Sequence, residues 1–232
     1  MIKIRKSKER GFAEHGWLKS YHTFSFANYF DPNHMGFRDL RVINEDRIQP
    51  GEGFGTHHHE DMEIISYVIE GALEHKDSMG NGSVINPGDV QYMSAGKGVN
   101  HSEFNHSKED ITHFLQIWIL PNDKGLAPQY DQKRFLEKDK LGKLKLLCSP
   151  DGQDGSIFIR QDVNLYGSIL PEKGQVDFDI KSNRYVWIQL IKGNLLVNDH
   201  ILQEGDGVSF SEENKIQILA KEKSEFLLFD MC

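Results

Sequence analysis

Cysteine is nearly absent: Cys148 and the terminal Cys232 are the only two in 232 residues. They form no Cys-x-x-Cys pair and cannot build a disulfide framework. No apolar run approaches the roughly 20 residues that a bilayer span needs. The opening "MIKIRKSKERGF" is basic but lacks an apolar core, so no secretory signal is read there. Positive charge is in deficit, with 27 Lys and Arg against 35 Asp and Glu and a formal charge of −8. Phosphate contacts need a basic surface, so direct nucleic-acid binding is excluded, while a protein partner is not. The expectation is a soluble cytoplasmic protein with no membrane association.

Helical periodicity is scarce as well. Short segments rich in Val, Ile, Phe and Tyr dominate, among them "LRVINEDRI", "EIISYVIEG", "THFLQIWIL", "YVWIQLIKG" and "EFLLFDM". Gly, Asn, Asp and Pro clusters punctuate them, the pattern of an all-β sandwich or barrel. Hydrophobic residues at 38% suffice for a packed core. The one helix candidate is "YDQKRFLEKDKLGK", inside a Lys-rich stretch that resembles a seam. On either side the plan repeats: apolar strand, glycine, strand, Gly-Asp turn, strand. Gly71 and Gly88-Asp89 hold these places in the first half, Gly193 and Gly205-Asp206 in the second. An internally duplicated β protein follows. The expected divisions are a first domain over 1–120, a partly helical linker over 121–147 and a second domain over 148–232, with N-terminal strands free to cross between the two.

The duplication is uneven in chemistry. Of 11 histidines, seven lie from His57 to His113 and only His200 lies in the second half. Strand side chains alternate, so in "GFGTHHHEDMEIISYVIEG" His57 and His59 share a face and His58 takes the other. His101 and Glu103, in "GKGVNHSEFNH", form a second pair at the same spacing. Two such pairs converge imidazoles and a carboxylate on one point, a donor set suited to Fe(II), Mn(II), Co(II), Ni(II), Cu(II) or Zn(II). Asp61 and Glu63 keep the parity of His57 and His59 and compete for the carboxylate place. His106 and His113 lack a matching partner, His75 sits near a hairpin in "LEHKDSMGNG", and all three are read as structural. "GEGFG" lacks the spacing of a dinucleotide fingerprint, "SAGKG" is not a P-loop, and "HHHEDME" is not the zincin HExxH.

With Gly51 six residues before His57 and Glu63 four after His59, the first histidine stretch resembles the first motif of the cupin superfamily. "PGDVQYMSAGKGVNHSEFN" resembles the second, departing from it with Ser94 where proline is common and two extra residues before His101. Together with "HGWLKSYHTFSFANYFDPNHMGFRDLRVINEDRI", these features resemble the pirin family, and closely its bacterial quercetinase-like members. The resemblance implies a bicupin, two antiparallel β-barrels joined by a short helical linker, with one metal in the first. It carries the ligand roles onto His57, His59, His101 and Glu103, with Glu63 second choice because pirins draw their glutamate from the second motif.

The same resemblance implies a metal-dependent quercetin 2,3-dioxygenase, with Fe(II) the first choice of metal, a flavonol and O2 as substrates, and Glu103 as general base. Phe24, Phe26, Phe37, Met62 and Tyr67 are candidates to line the substrate pocket. The alternative is an iron redox-sensing regulatory protein that binds a transcription factor or a metabolic enzyme.

Overall fold

β-branched and aromatic residues fill the strand interiors, and turn residues set their ends, so the computed structural model is almost wholly antiparallel β; it describes residues 1–232. In chain order the strands are β1 (Ile2–Arg5), β2 (Gly11–Glu14), β3 (Leu18–His22), β4 (Leu40–Ile48) and β5 (Gly53–Glu70). Then come β6 (Leu73–Asp77), β7 (Gly82–Ile85), β8 (Asp89–Asn105), β9 (Thr112–Ile119) and β10 (Gln129–Arg134). A single helical turn, α1 (Glu137–Lys140), leads to β11 (Lys145–Ser149), β12 (Ile157–Phe158), β13 (Val163–Leu170), β14 (Gln175–Asp179) and β15 (Tyr185–Lys192). The chain ends with β16 (Asn194–Val197), β17 (His200–Gln203), β18 (Gly207–Phe210), β19 (Lys215–Ala220) and β20 (Ser224–Met231). No helix is long and apolar enough to cross a membrane.

Two compact units result: residues 11–134 with 159–161, and residues 1–10 with 135–158 and 162–232. The division does not follow the linear cut at 120 and 148. β1 pairs with β18, Ile2 opposite Phe210, inside the unit built mainly from the second half. The segment 121–147 is no continuous linker either. Its predicted helix is one turn long, and the preceding "QYDQKR" is β10, paired with Asp89–Ser94 of β8. Tyr130 explains the strand: its ring stacks on buried His75 at 5.2 Å, a tertiary contact that local helix propensity cannot offset.

In the first unit the sheet order is β2-β3-β4-β9-β5-β8-β6-β7, with β10 also on β8. Leu18, Ile48, Val68, Leu73, Ile85 and Phe114 make one core cluster, and Ile64, Met93 and Val99 a second. The second unit has a seven-stranded sheet, β1-β18-β15-β20-β13-β11-β12, and a four-stranded one, β14-β19-β16-β17. Ile188, Leu190, Val208, Phe210, Phe226 and Leu228 lie at its centre, all fully buried.

The duplication survives in turn chemistry. Gly71 and Gly193 each leave a long strand at positive φ, +75° and +89°. A Cβ on Gly71 would sit 2.7 Å from the Ile111 carbonyl oxygen, and one on Gly193 2.6 Å from that of Lys223. The next residues are clamped alike: the Thr112 hydroxyl accepts from Ala72 N and donates to Ala72 O, and the Ser224 hydroxyl does the same with Asn194. In the Gly-Asp turns, Asp89 accepts from Asn86 N at 2.9 Å and Asp206 from Gln203 N at 3.0 Å. Gly193→Ala is expected to cost at least about 1 kcal/mol, since it adds both a clash and a strained φ. Urea denaturation measures this, and an unshifted midpoint would contradict the clamped-turn account.

Candidate metal centre

Every strand contributing to the histidine cluster is long, antiparallel and bulged. β5 carries His57 and His59, β8 carries His101 and Glu103, and the two strands pair with His57 directly opposite His101. The register shifts between Phe54, which faces Glu103, and His57. This bulge brings the two chemically distinct pairs to one place. Ring centroids of His57 and His101 lie 4.4 Å apart, and His59 lies 4.8 Å from each. One ring nitrogen from each of the three falls within 4.8 Å of the others. A second grouping at that spacing joins His75, His101 and Glu103. His58 is exposed, with Nδ1 3.2 Å from the Asn100 side-chain oxygen.

The donor set fits a divalent ion. His57 donates Nδ1–H to the Gly55 carbonyl at 2.8 Å, which leaves Nε2 as its lone-pair nitrogen. His101 Nε2 is buried and has no hydrogen-bond partner in the protein. Burial, reinforced by the neighbouring imidazoles, lowers His59 to about 4 and His101 to about 3. Both are therefore neutral at pH 7, the form that ligates. The Glu103 carboxylate is oriented by Gln116 Nε2 at 2.8 and 3.0 Å and by the Ser66 hydroxyl at 3.3 Å.

His75 has a part that its lone position in the sequence did not suggest. It is fully buried, and its Nδ1 lies 3.4 Å from His101 Nδ1. Its Nε2 lies 3.2 Å from Asp77 Oδ2. Burial pushes Asp77 up, but hydrogen bonds from Asn81 and His75 outweigh it and the carboxyl sits below its usual range. The ionised Asp77 accepts from His75 Nε2–H, so His75 Nδ1 carries the lone pair, which Gln91 Nε2 and His101 Nδ1–H share, each at 3.4 Å. This chain points the His101 Nε2 lone pair into the cluster. Sequence parity misses it because β6, which carries His75 and Asp77, meets β8 only through the tertiary register that sets His75 opposite Glu103.

Glu63 is away from the cluster. The register shifts again between His59 and Asp61, where Asp61 takes φ +65°, and the alternation that linked Glu63 to His59 is broken. Glu63 is buried in its own network, accepting from Tyr92 and Ser94 hydroxyls and from Arg160 N. Asp61 is exposed enough to cap Gly125 N at 2.8 Å.

A cavity of about 700 Å³ opens onto His57, His59 and Glu103. Trp17, Phe26, Phe54 and Trp118 supply its aromatic wall. Trp118 packs edge-on against His59 at 4.9 Å and against Phe26 at 5.4 Å. Of the five pocket residues expected from sequence, Phe26 lines this cavity and Phe24, Phe37, Met62 and Tyr67 do not. Phe24 and Tyr67 are buried, and Met62 packs on the Ile64–Met93–Val99 cluster. After the Asp61 bulge, Ser66 rather than Tyr67 faces Glu103, which accounts for Tyr67.

Sequence reading also overlooked the cavity's polar wall. His22, Asn44, Gln116, Ser66 and Gln91 are successive cross-strand partners over β3, β4, β9, β5 and β8, all buried, and the first three line the cavity. The available signal was one polar residue inside each apolar run: Asn44 in "VINED", Ser66 in "IISYV", Gln91 in "DVQYM", Gln116 in "FLQIW". Asp46, two residues from Asn44, also lines the cavity. Burial raises it to about 7 against the lowering effect of its hydrogen bond with Ser20, with the charges of Glu103 and Glu45 adding to the rise.

The pirin family model matches residues 3–119, and that of the quercetinase C-terminal cupin domain matches residues 146–231. A protein of Escherichia coli K12 named quercetin 2,3-dioxygenase is 50% identical over 231 residues, covering 100% of this chain and 99% of its own. The crystal structure of YhhW from Escherichia coli superposes with a TM-score of 0.97 at 50% identity, over 100% of this chain and 98% of that one. A second crystal structure, of the bacterial pirin YhhW in complex with nickel(II), gives 0.95 at 49% identity over 100% and 99%. The fold is thus a bicupin.

Two outcomes are expected of this site. His75→Gln and Asp77→Asn should weaken Co(II) affinity about 10- to 100-fold while leaving the folded-state circular dichroism intact; unchanged affinity in a competition titration would remove the orienting chain. The metal-free protein should lose stability as pH falls from about 6.5 toward 3. Unfolded imidazoles take protons near 6.5, whereas His59 and His101 in the fold take them only near 4 and 3. The unfolded state then binds more protons, and stability drops with falling pH. Denaturation midpoints at pH 7, 5 and 4 check this against a His59→Gln, His101→Gln double variant, whose decline should be shallower.

Proposed function

This chain belongs to the pirin family, and on that premise we propose that it is a metal-dependent dioxygenase opening the central ring of flavonols such as quercetin with release of carbon monoxide. The observation that carries this reading is the convergence of three imidazoles, two of them held neutral by burial, with His57, His59 and the oriented Glu103 on the wall of an aromatic cavity. A relative named quercetin 2,3-dioxygenase at 50% identity over the full chain supports the reaction class. The nickel complex of a relative supports one divalent ion. His57, His59, His101 and Glu103 would hold that ion, with Fe(II) as the working metal. The second unit, whose single histidine is His200, would hold none.

When bound, the ion supplies Lewis acidity toward a substrate oxyanion and the open positions that chemistry with O2 requires. The protein's own residues do the rest. Trp17, Phe26, Phe54 and Trp118 offer faces and edges to a flat ring system and exclude water from it. Glu103, with Gln116 and Ser66 spent on orienting it, accepts the proton of the flavonol 3-hydroxyl. The Asp77–His75 pair keeps His101 in the tautomer that leaves Nε2 unprotonated.

Metal-free protein, reconstituted anaerobically with Fe(II) and then given quercetin and oxygen, should consume O2 and bleach the flavonol band. His101→Ala should abolish both. Glu103→Gln should lower kcat about 100- to 10,000-fold, the usual worth of a general base. Parent-level turnover in a metal-loaded Glu103→Gln protein would exclude the base role. Stoichiometric metal uptake without turnover, across Fe, Mn, Co, Ni and Cu, would exclude the dioxygenase.

A further inference from the structure

The polar wall of the cavity is not fully used by the centre it adjoins. Gln116 is committed to Glu103, while Ser66 and Gln91 do not line the cavity. Asn44 and Asp46 differ. Both line the cavity, both are about 3% exposed, and neither Asn44 Oδ1 nor Asp46 Oδ1 has a hydrogen-bond partner in the protein. They are two apart on β4, so their side chains share the inward face. Buried oxygens left unpaired lose their hydration with nothing in return, and a fold keeps them where something else satisfies them. What satisfies an oxygen acceptor is an O–H or N–H donor.

Position separates them from the metal cluster. His57 and His59 stand on β5 and Glu103 on β8, whereas Asn44 and Asp46 stand on β4, two strands from β5 with β9 between. A ligand whose one oxygen lies at the histidines therefore needs a second polar group, on another part of its framework, to reach β4. The aromatic wall of Trp17, Phe26, Phe54 and Trp118 fits the flat body that would connect them.

We propose that Asn44 and Asp46 form a second polar subsite that accepts hydrogen bonds from phenolic hydroxyls of the substrate, making the cavity selective for polyhydroxylated over sparsely hydroxylated flavonols. The proposal rests on the flavonol reading above and specifies its substrate class. Asp46, raised to about 7 by burial and hydrogen-bonded to its neighbour Ser20, is about half protonated at neutral pH.

The test is an anaerobic titration of the nickel-loaded full-length protein with quercetin and with 3-hydroxyflavone, which shares the chelating 3-hydroxyl but lacks the ring hydroxyls. Quenching of Trp17 and Trp118 fluorescence reports binding. Quercetin should bind about tenfold or more tightly than 3-hydroxyflavone in the parent protein. Asn44→Ala and Asp46→Ala should each erase most of that difference and leave 3-hydroxyflavone affinity within about twofold. Equal affinities in the parent, a comparison that needs no variant to fold, would overturn the subsite and spare the dioxygenase reading. So would a preference that persists in both variants. Binding of neither compound to metal-loaded protein would overturn both.

Discussion

The register between β5 and β8 is the constraint from which the rest of the site follows. His57 opposite His101 is a backbone fact, set by the hydrogen-bond ladder of two long strands. The bulge before His57 brings Glu103 to the same cavity, and the bulge after His59 turns the inward face from odd to even positions. A one-residue slip would send both histidines to the opposite face. The ladder is held by apolar pairs further along, Ile64 with Met93 and Ile65 with Tyr92, so the core stabilises the site's geometry from a distance.

A cupin interior that carries chemistry has to tolerate polar groups where a sandwich would place Val and Leu. In the first unit, a five-strand row from His22 to Gln91 crosses the interior. In the second unit, Ile188, Leu190, Val208, Phe226 and Leu228 fill the core instead. The two units share turn chemistry down to the hydroxyl clamps of Thr112 and Ser224, and the first keeps Asn44 Oδ1 and Asp46 Oδ1 unspent beside a cavity. Burying such groups lowers stability unless each is paired. The second unit has no histidine cluster and centres on an all-apolar one.

Orientation of the imidazoles is a matter of their neighbours. Gly55 fixes the ring of His57, and His75 that of His101. Those contacts arise from different strands, β5 itself and β6, and β10 adds Tyr130 on the outer face of His75. The charged stretch between the two halves thereby serves the centre through a stacked ring.

The all-β class, the duplicated plan and the histidine pairs are legible along the chain. Alternation and turn residues act within a few positions, and the cupin-like spacing of His57, His59, His101 and Glu103 is a local pattern. Phe26 was also legible as a cavity residue. Tertiary structure decided what depends on register. Glu63 and Tyr67 fell off the site because a bulge at Asp61 cannot be read from strict alternation. His75 gained its partner because β6 docks on β8. Residues 1–10 joined the second unit and 159–161 the first, since strand pairing follows edge complementarity and not chain order. A helix-like charged segment became β10 because an existing strand edge offered six residues of ladder. Local chemistry chooses the elements; long-range hydrogen bonding chooses which of their side chains meet.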